Sequence, residues 1–225
     1  MIINHKSVFL PNYADDSWLK RQCYKNVVSF FQLNISRYNR SMNNPAIANK
    51  YQQLRLAVLA QTQDDFEQFE PDFIGHIDLT EISEDALHSQ DKWDIPVNRQ
   101  IGWDWRQVRD QYRRDHMARV ELAVWYGEDL CGLMIGKASE GKLVVKINYI
   151  QGGEVENPLK GYIVPIASRC AELFAVAIKA DWIGIQDPID DEHLLNYYRE
   201  LGFDESDPFD PKNNALFKRV VVDEG

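Results

Sequence analysis

Leu194-Leu195-Asn196-Tyr197-Tyr198-Arg199-Glu200-Leu201-Gly202-Phe203 decides how the C-terminal half of this chain folds. Leu194, Leu195, Tyr198 and Leu201 recur at spacings of three and four, which puts them on one apolar face of a helix. Asp190, Asp191 and Glu192 place negative charge where the first free N–H groups and the macrodipole favour it. Gly202 stands where a left-handed C-cap ends such a helix, and Phe203 can fold back on the last turn. On pattern alone this is a capped core helix with Tyr198 facing inward, while Tyr197 points about 100 degrees away around the axis.

Working outward, Val120-Glu121-Leu122-Ala123-Val124-Trp125-Tyr126 and Leu130-Cys131-Gly132-Leu133-Met134-Ile135-Gly136 read as two strands joined by a tight turn at Gly127-Glu128-Asp129. A third strand, Lys142 to Ile150, follows the turn-forming Ser139-Glu140-Gly141. A loop from Gln151 to Lys160 leads to a long helix with Ile166, Cys170, Leu173, Phe174, Ala177 and Ile178 on one face. Trp182-Ile183-Gly184-Ile185 is a short strand before the Tyr198 helix, and Ala215 to Val221 closes the chain as a strand.

This order of elements, together with the helix ending in Leu201-Gly202-Phe203, resembles the Gcn5-related N-acetyltransferases over about Trp103 to Val222. The resemblance implies an α/β (α+β) fold: a mixed, mostly antiparallel sheet flanked by helices, with an elaborated helical N-terminal region. It implies one domain spanning 1–225, in which 1–100 is the elaboration and 103–222 the acetyltransferase-like core. The family's phosphate loop, Gln/Arg-x-x-Gly-x-Gly/Ala, aligns with Pro158-Leu159-Lys160-Gly161-Tyr162-Ile163-Val164-Pro165. Gly161 matches the first glycine and Lys160 a common basic position. Ile163 replaces the second glycine, where a side chain is expected to crowd a phosphate, and Pro165 removes a donor while suiting a helix's first turn.

The implied reaction is direct transfer of an acyl group, acetyl in the first instance, from coenzyme A to a primary amine of a small molecule or protein. It needs a proton acceptor for the amine, polarisation of the thioester and a proton for the departing thiolate. By resemblance Tyr198 is the general acid, with Tyr197 its neighbour. Backbone groups of Tyr149, Ile150 and Gln151 would hold the pantetheine arm; N–H groups of Gly161, Tyr162, Ile163 and Val164, with the Lys160 charge, would meet the pyrophosphate. The third strand contains no carboxylate, so the base candidates are Glu121 on the first strand and Glu154 in the loop. The altered loop leaves a second function open: a non-catalytic binding or regulatory module of the same fold.

Composition bounds these expectations. The 225 residues are 44% hydrophobic, which suits an ordinary globule with one substantial core. No apolar run is long enough for a bilayer and no signal segment opens the chain, so a cytoplasmic, membrane-free protein is expected. Cys23, Cys131 and Cys170 are scattered without metal-ligand spacing, as are the five histidines, so neither metal nor disulfide is expected. His116 is expected to cap or pack.

Charge is uneven: residues 1–60 carry +6, 61–100 carry −9 and the remainder −7. The basic segment is interleaved with aromatics, but Asp15-Asp16 cap a helix whose Leu19, Cys23, Val27, Phe30 and Phe31 form a core face, leaving the bases solvated. Because the whole chain stands at −10, nucleic acid is not an expected partner. Helices are expected near 16–32 and 46–62, followed by an acidic stretch from 64 to 94 without clear period. Trp105, Val108, Tyr112 and Met117 line a third helix. If the acidic stretch lines the acceptor side it would suit a cationic amine, and exposed tryptophans would suit a homodimer surface.

Overall fold

The computed structural model describes residues 45–93, 102–141, 143–153 and 157–221. The expected helix near 16–32, with Cys23, lies outside them, as does Glu154. In chain order the elements are α1 (Pro45–Phe69), a 3-10 turn (Pro71–Phe73), β1 (Ile77–Thr80), α2 (Glu84–Gln90), α3 (Trp105–Asp115), β2 (Arg119–Tyr126), β3 (Asp129–Ala138) and β4 (Val144–Gly152). Then come α4 (Ile163–Ile178), β5 (Trp182–Gln186), α5 (Glu192–Glu200), β6 (Glu205–Ser206) and β7 (Ala215–Arg219).

Among the described residues the strands form one sheet in the order β1-β2-β3-β4-β5-β7-β6. All neighbours are antiparallel except β4 and β5, whose parallel pairing requires the α4 crossover between them. The hairpin between β2 and β3 turns on Gly127 and Glu128, with Tyr126 opposite Asp129. Because β2 and β3 lie mid-sheet and are covered on both faces, they read as near-continuous apolar runs rather than as alternation.

One face of the sheet packs against α1, α4 and α5, with Val58, Phe66, Val120, Leu122, Ile147, Ile166, Phe174, Tyr198 and Phe203 in a shared core. The other face packs against α2 and α3 through Leu87, Trp105, Tyr112, Ala123, Leu133 and Ile135. α3 ends at Asp115, so Met117 lies beyond it, and His116 is its C-cap.

The stretch without clear period contains two elements. β1 extends the sheet from β2, and α2 is capped by Ser83, whose side chain accepts from the N–H of Ala86 at 3.1 Å. Some acidic side chains of this stretch are held by arginines: Asp65 by Arg169 at 2.7 Å, Glu84 by Arg109 and Arg106 at 2.6 and 2.7 Å, and Glu81 by Arg55.

A bulge shapes β4. Gly136 pairs with Ile147 and Ile135 with Tyr149, so Asn148 is an extra residue with no opposite number. The insertion reverses the alternation: Val145 and Ile147 face the α4 layer, yet Tyr149 packs with the α2–α3 layer and Ile150 returns to the α4 side.

Candidate functional site

β4 and β5 pair only from Val144–Trp182 to Ile147–Ile185, and the pairing stops at the bulge. Beyond it the β4 edge from Asn148 to Gln151 has no partner in β5, which ends at Gln186. A cleft of about 460 Å³ opens where the strands part, walled by β4, by Gln186-Asp187-Pro188-Ile189 after β5, by the start of α4 and by α5. Asn148 lines it, and its Oδ1 is buried without a hydrogen-bond partner.

At one end of the cleft stands the loop 157–162. Asn157 fixes it to β3, donating to the Cys131 carbonyl at 2.6 Å and accepting from the Leu159 N–H at 2.9 Å. Gly161 adopts φ +93°, a backbone that side chains rarely tolerate, and its carbonyl accepts from the Tyr197 hydroxyl at 2.7 Å. Tyr162 is the N-cap of α4 and its N–H donates to the Leu159 carbonyl, so it is not available to a ligand as expected. The N–H groups of Gly161, Ile163 and Val164 have no partner among the described residues. Three donors without a described partner at a helix N-terminus, with exposed Lys160 beside them, make a cradle that could hold an anion.

Ile163 does not obstruct that cradle as expected. Its side chain is buried against β3 and β4, filling space over Gly132 and Gly152: a Cβ on Gly132 would lie 2.6 Å from its Cγ2. Pro165 is buried in the first turn of α4 and lines a separate groove toward α1 and β7, not the cleft.

The far wall is α5. Asp191 caps its start, accepting from the Leu194 N–H at 3.0 Å. Its end is a Schellman motif, with the Phe203 N–H on the Tyr198 carbonyl at 3.0 Å, the Gly202 N–H on the Arg199 carbonyl at 2.9 Å, and Gly202 at φ +88°. Tyr198 is 4% exposed, its ring in the core and its edge on the cleft; no described residue hydrogen-bonds its hydroxyl. Burial pushes that phenol up to about 12.

The structure thus gathers Ile150, Gln151, Lys160, Gly161, Ile163, Val164 and Tyr198 around one cleft. Gln151 turns its side chain away, accepting from Trp105 Nε1 at 2.8 Å, so that its backbone faces the opening. Tyr149 points to the opposite layer, edge-on to Trp103 at 4.7 Å and to Tyr112 at 5.8 Å. Glu121 does not belong to the site: it is 0% exposed, outside the cleft, and paired with Arg113 and Arg119 at 3.2 Å each. None of residues 64–93 lines the cleft either.

Neither Asn148 nor Asp187 stands in a recognisable motif. Asp187 is an exposed cleft residue at φ +47°, held there by its N–H on the Asn214 carbonyl at 2.8 Å. The only local signal was the Asp187-Pro188 pair, which marks a turn. No group of metal-ligating side chains occurs among the described residues, and none of their helices is long and apolar enough to cross a membrane.

No protein-family model matches the chain, and no curated protein matches it. Solved structures do. A Gcn5-related acetyltransferase from Staphylococcus aureus superposes with TM-score 0.50 at 10% identity, covering 64% of this chain and 99% of that one. An acetyltransferase from Streptococcus agalactiae gives TM-score 0.49 at 13% identity over 64% and 98% of the two chains. Ard1 from Thermoplasma volcanium gives 0.48 at 11% over 65% and 99%. With the β4–β5 splay, the α4 crossover and the capped α5 in place, this protein has the fold of the Gcn5-related N-acetyltransferases.

Proposed function

We propose that the protein is an acyl-coenzyme A-dependent N-acyltransferase acting on a primary amine. The observation that carries this is the coincidence, in one cleft, of an unpaired β4 edge and three unpartnered N–H groups at the start of α4. Lys160 and the N–H groups of Gly161, Ile163 and Val164 fit a pyrophosphate, and the backbone from Asn148 to Gln151 fits an extended amide-bearing arm. When bound, coenzyme A supplies an activated acyl carbon.

The chain's own residues would do the rest. Tyr198 holds a proton at its hydroxyl through neutral pH and presents it from the α5 side, which suits a departing thiolate. Of the two cleft carboxylates, Asp191 caps α5, whereas Asp187 is exposed, accepts from Gln186 Nε2 at 3.1 Å, and would take the amine proton directly or through water. The buried core around Tyr198 and Ile163 keeps bulk water from that wall, which strengthens each polar contact.

The test is calorimetric titration with acetyl-coenzyme A of the wild type, of Gly161→Glu, and of Lys160→Glu, which leaves the positive-φ backbone intact. Binding that both variants abolish, followed by turnover with a panel of amines, supports the proposal. Absence of binding at millimolar cofactor favours a second reading, a non-catalytic module of this fold, for which the near-complete burial of Tyr198 and the sequestration of Glu121 already speak.

A further inference from the structure

A second cavity, sharing no lining residue with the cleft, opens at the other end of the sheet where β2 begins. It measures about 560 Å³ and is lined by Pro45, Ala48, Asn49, Gln52 and Arg55 of α1, by Glu81, and by Arg113, Arg114, Met117 and Arg119 around the end of α3. Among the described residues, four guanidinium groups therefore face one lining carboxylate.

The neighbouring acids satisfy these cations only in part. Arg55 is 4% exposed and spends Nε on Glu81, while its Nη1 is buried with no hydrogen-bond partner. Arg119 gives only Nε to Glu121, and no described residue accepts from its terminal nitrogens. Arg113 gives Nε to Glu121 and Nη2 to the Ile82 carbonyl at 2.9 Å, leaving Nη1 over. Arg114 binds Asp115, which lies outside the cavity. Burial and the nearby Arg55 hold the Arg119 guanidinium below its ordinary value, as expected where cations crowd without enough counter-charge.

Guanidinium forks with free terminal nitrogens match the paired oxygens of phosphates and carboxylates, and exposed Asn49 and Gln52 at the rim add neutral donors. We propose that this arginine-lined cavity is a binding site for a compact polyanion, a phosphate- or polycarboxylate-bearing metabolite, separate from the catalytic cleft. Because it joins α1 to the α3–β2 corner, its occupant ties together the two layers that sandwich the sheet.

The probes are inorganic pyrophosphate and citrate, titrated at fixed ionic strength into the full chain carrying Lys160→Glu, so that binding at the cleft is suppressed. The comparison protein carries Lys160→Glu with Gln52→Glu; position 52 is exposed on α1, glutamate is a good helix former, and its charge opposes an anion at the rim. One anion per chain is expected in the first protein, and affinity weaker by roughly tenfold or more in the second. Preference for pyrophosphate or for citrate tells the two ligand classes apart. Absence of binding by both anions, or equal binding in both proteins, overturns the proposal. The outcome is independent of whether acetyl-coenzyme A binds, since the cleft is altered in both proteins.

Discussion

Ile163 rests on Gly132: the helix residue leans into a notch that only glycine on β3 can provide. Alanine at 132 would put its Cβ 2.6 Å from Cγ2 of a β-branched side chain with little freedom to move. Gly132→Ala should therefore cost about 1–3 kcal/mol, measured by urea unfolding. Adding Ile163→Ala should return part of that loss, making the pair less unstable than the sum of the single changes. Strict additivity would show that the two residues do not share the space.

Tyr198→Phe should leave stability nearly unchanged, because no described residue hydrogen-bonds the hydroxyl. Under the proposed mechanism it should lower kcat by roughly a hundredfold or more while leaving cofactor affinity in place. Steady-state kinetics and calorimetry on the same preparation separate the two; wild-type kcat in the variant would remove the phenol from the chemistry.

High pH should unfold the protein progressively. Burial raises the Cys131 thiol to about 11 and the Cys170 thiol and Tyr198 phenol to about 12, and it raises Tyr112 as well. Each group binds its proton more tightly folded than unfolded, so its contribution is complete below its unfolded pKa and is lost as pH rises toward the folded one. Urea midpoints should be flat through neutrality and fall from about pH 9 upward. The two thiols should also react with a disulfide reagent only on unfolding.

Asp207 controls the acid side. It is 3% exposed, accepts from Asn213 Nδ2 at 2.7 Å, the Phe209 N–H at 2.9 Å and Lys146 Nζ at 3.2 Å, and lies well down, at about 2. Its depressed value means stability present above about pH 4 and lost as pH falls toward 2. Asp207→Asn should cost about 2 kcal/mol at neutral pH and flatten that decline; an unchanged acid limb would assign it to other carboxylates.

Glu121→Gln separates a structural acid from a base. Removing a buried charge that holds Arg113 and Arg119 should cost about 3 kcal/mol, while kcat per folded molecule stays at the wild-type level. A fall in kcat without loss of stability would return Glu121 to the catalytic set.

Apart from β6, the elements from β2 to β7 were legible because their signals are local: Gly127 in a two-residue hairpin, Asp191 and Gly202 at the ends of α5, and the apolar face of α4. β1 was not, since Ile77-Asp78-Leu79-Thr80 offers only two apolar residues and earns its place by pairing with β2. β6 has only two residues and exists through its bonds to β7. Within the site, Lys160, Gly161 and Tyr198 were visible as a motif, whereas the accommodation of Ile163 depends on a glycine in a distant strand. The Tyr162 N–H was expected to be free, but a local turn onto Leu159 consumes it. Asn148 was hidden for a related reason: nothing between Val144 and Ile150 marks which residue will be skipped in pairing with β3.

That skipped residue makes β4 two half-strands in opposite phase. Up to Ile147 the strand is scaffold, with its inward positions committed to the α4 layer and its edge closed by β5. After Asn148 the parity is inverted and the edge is open, so the half that borders the cleft is decoupled from the packing register of the half that builds the sheet. Side chains can vary on the open half without shifting the other out of step, and the place where the fold changes phase is also where its cleft begins.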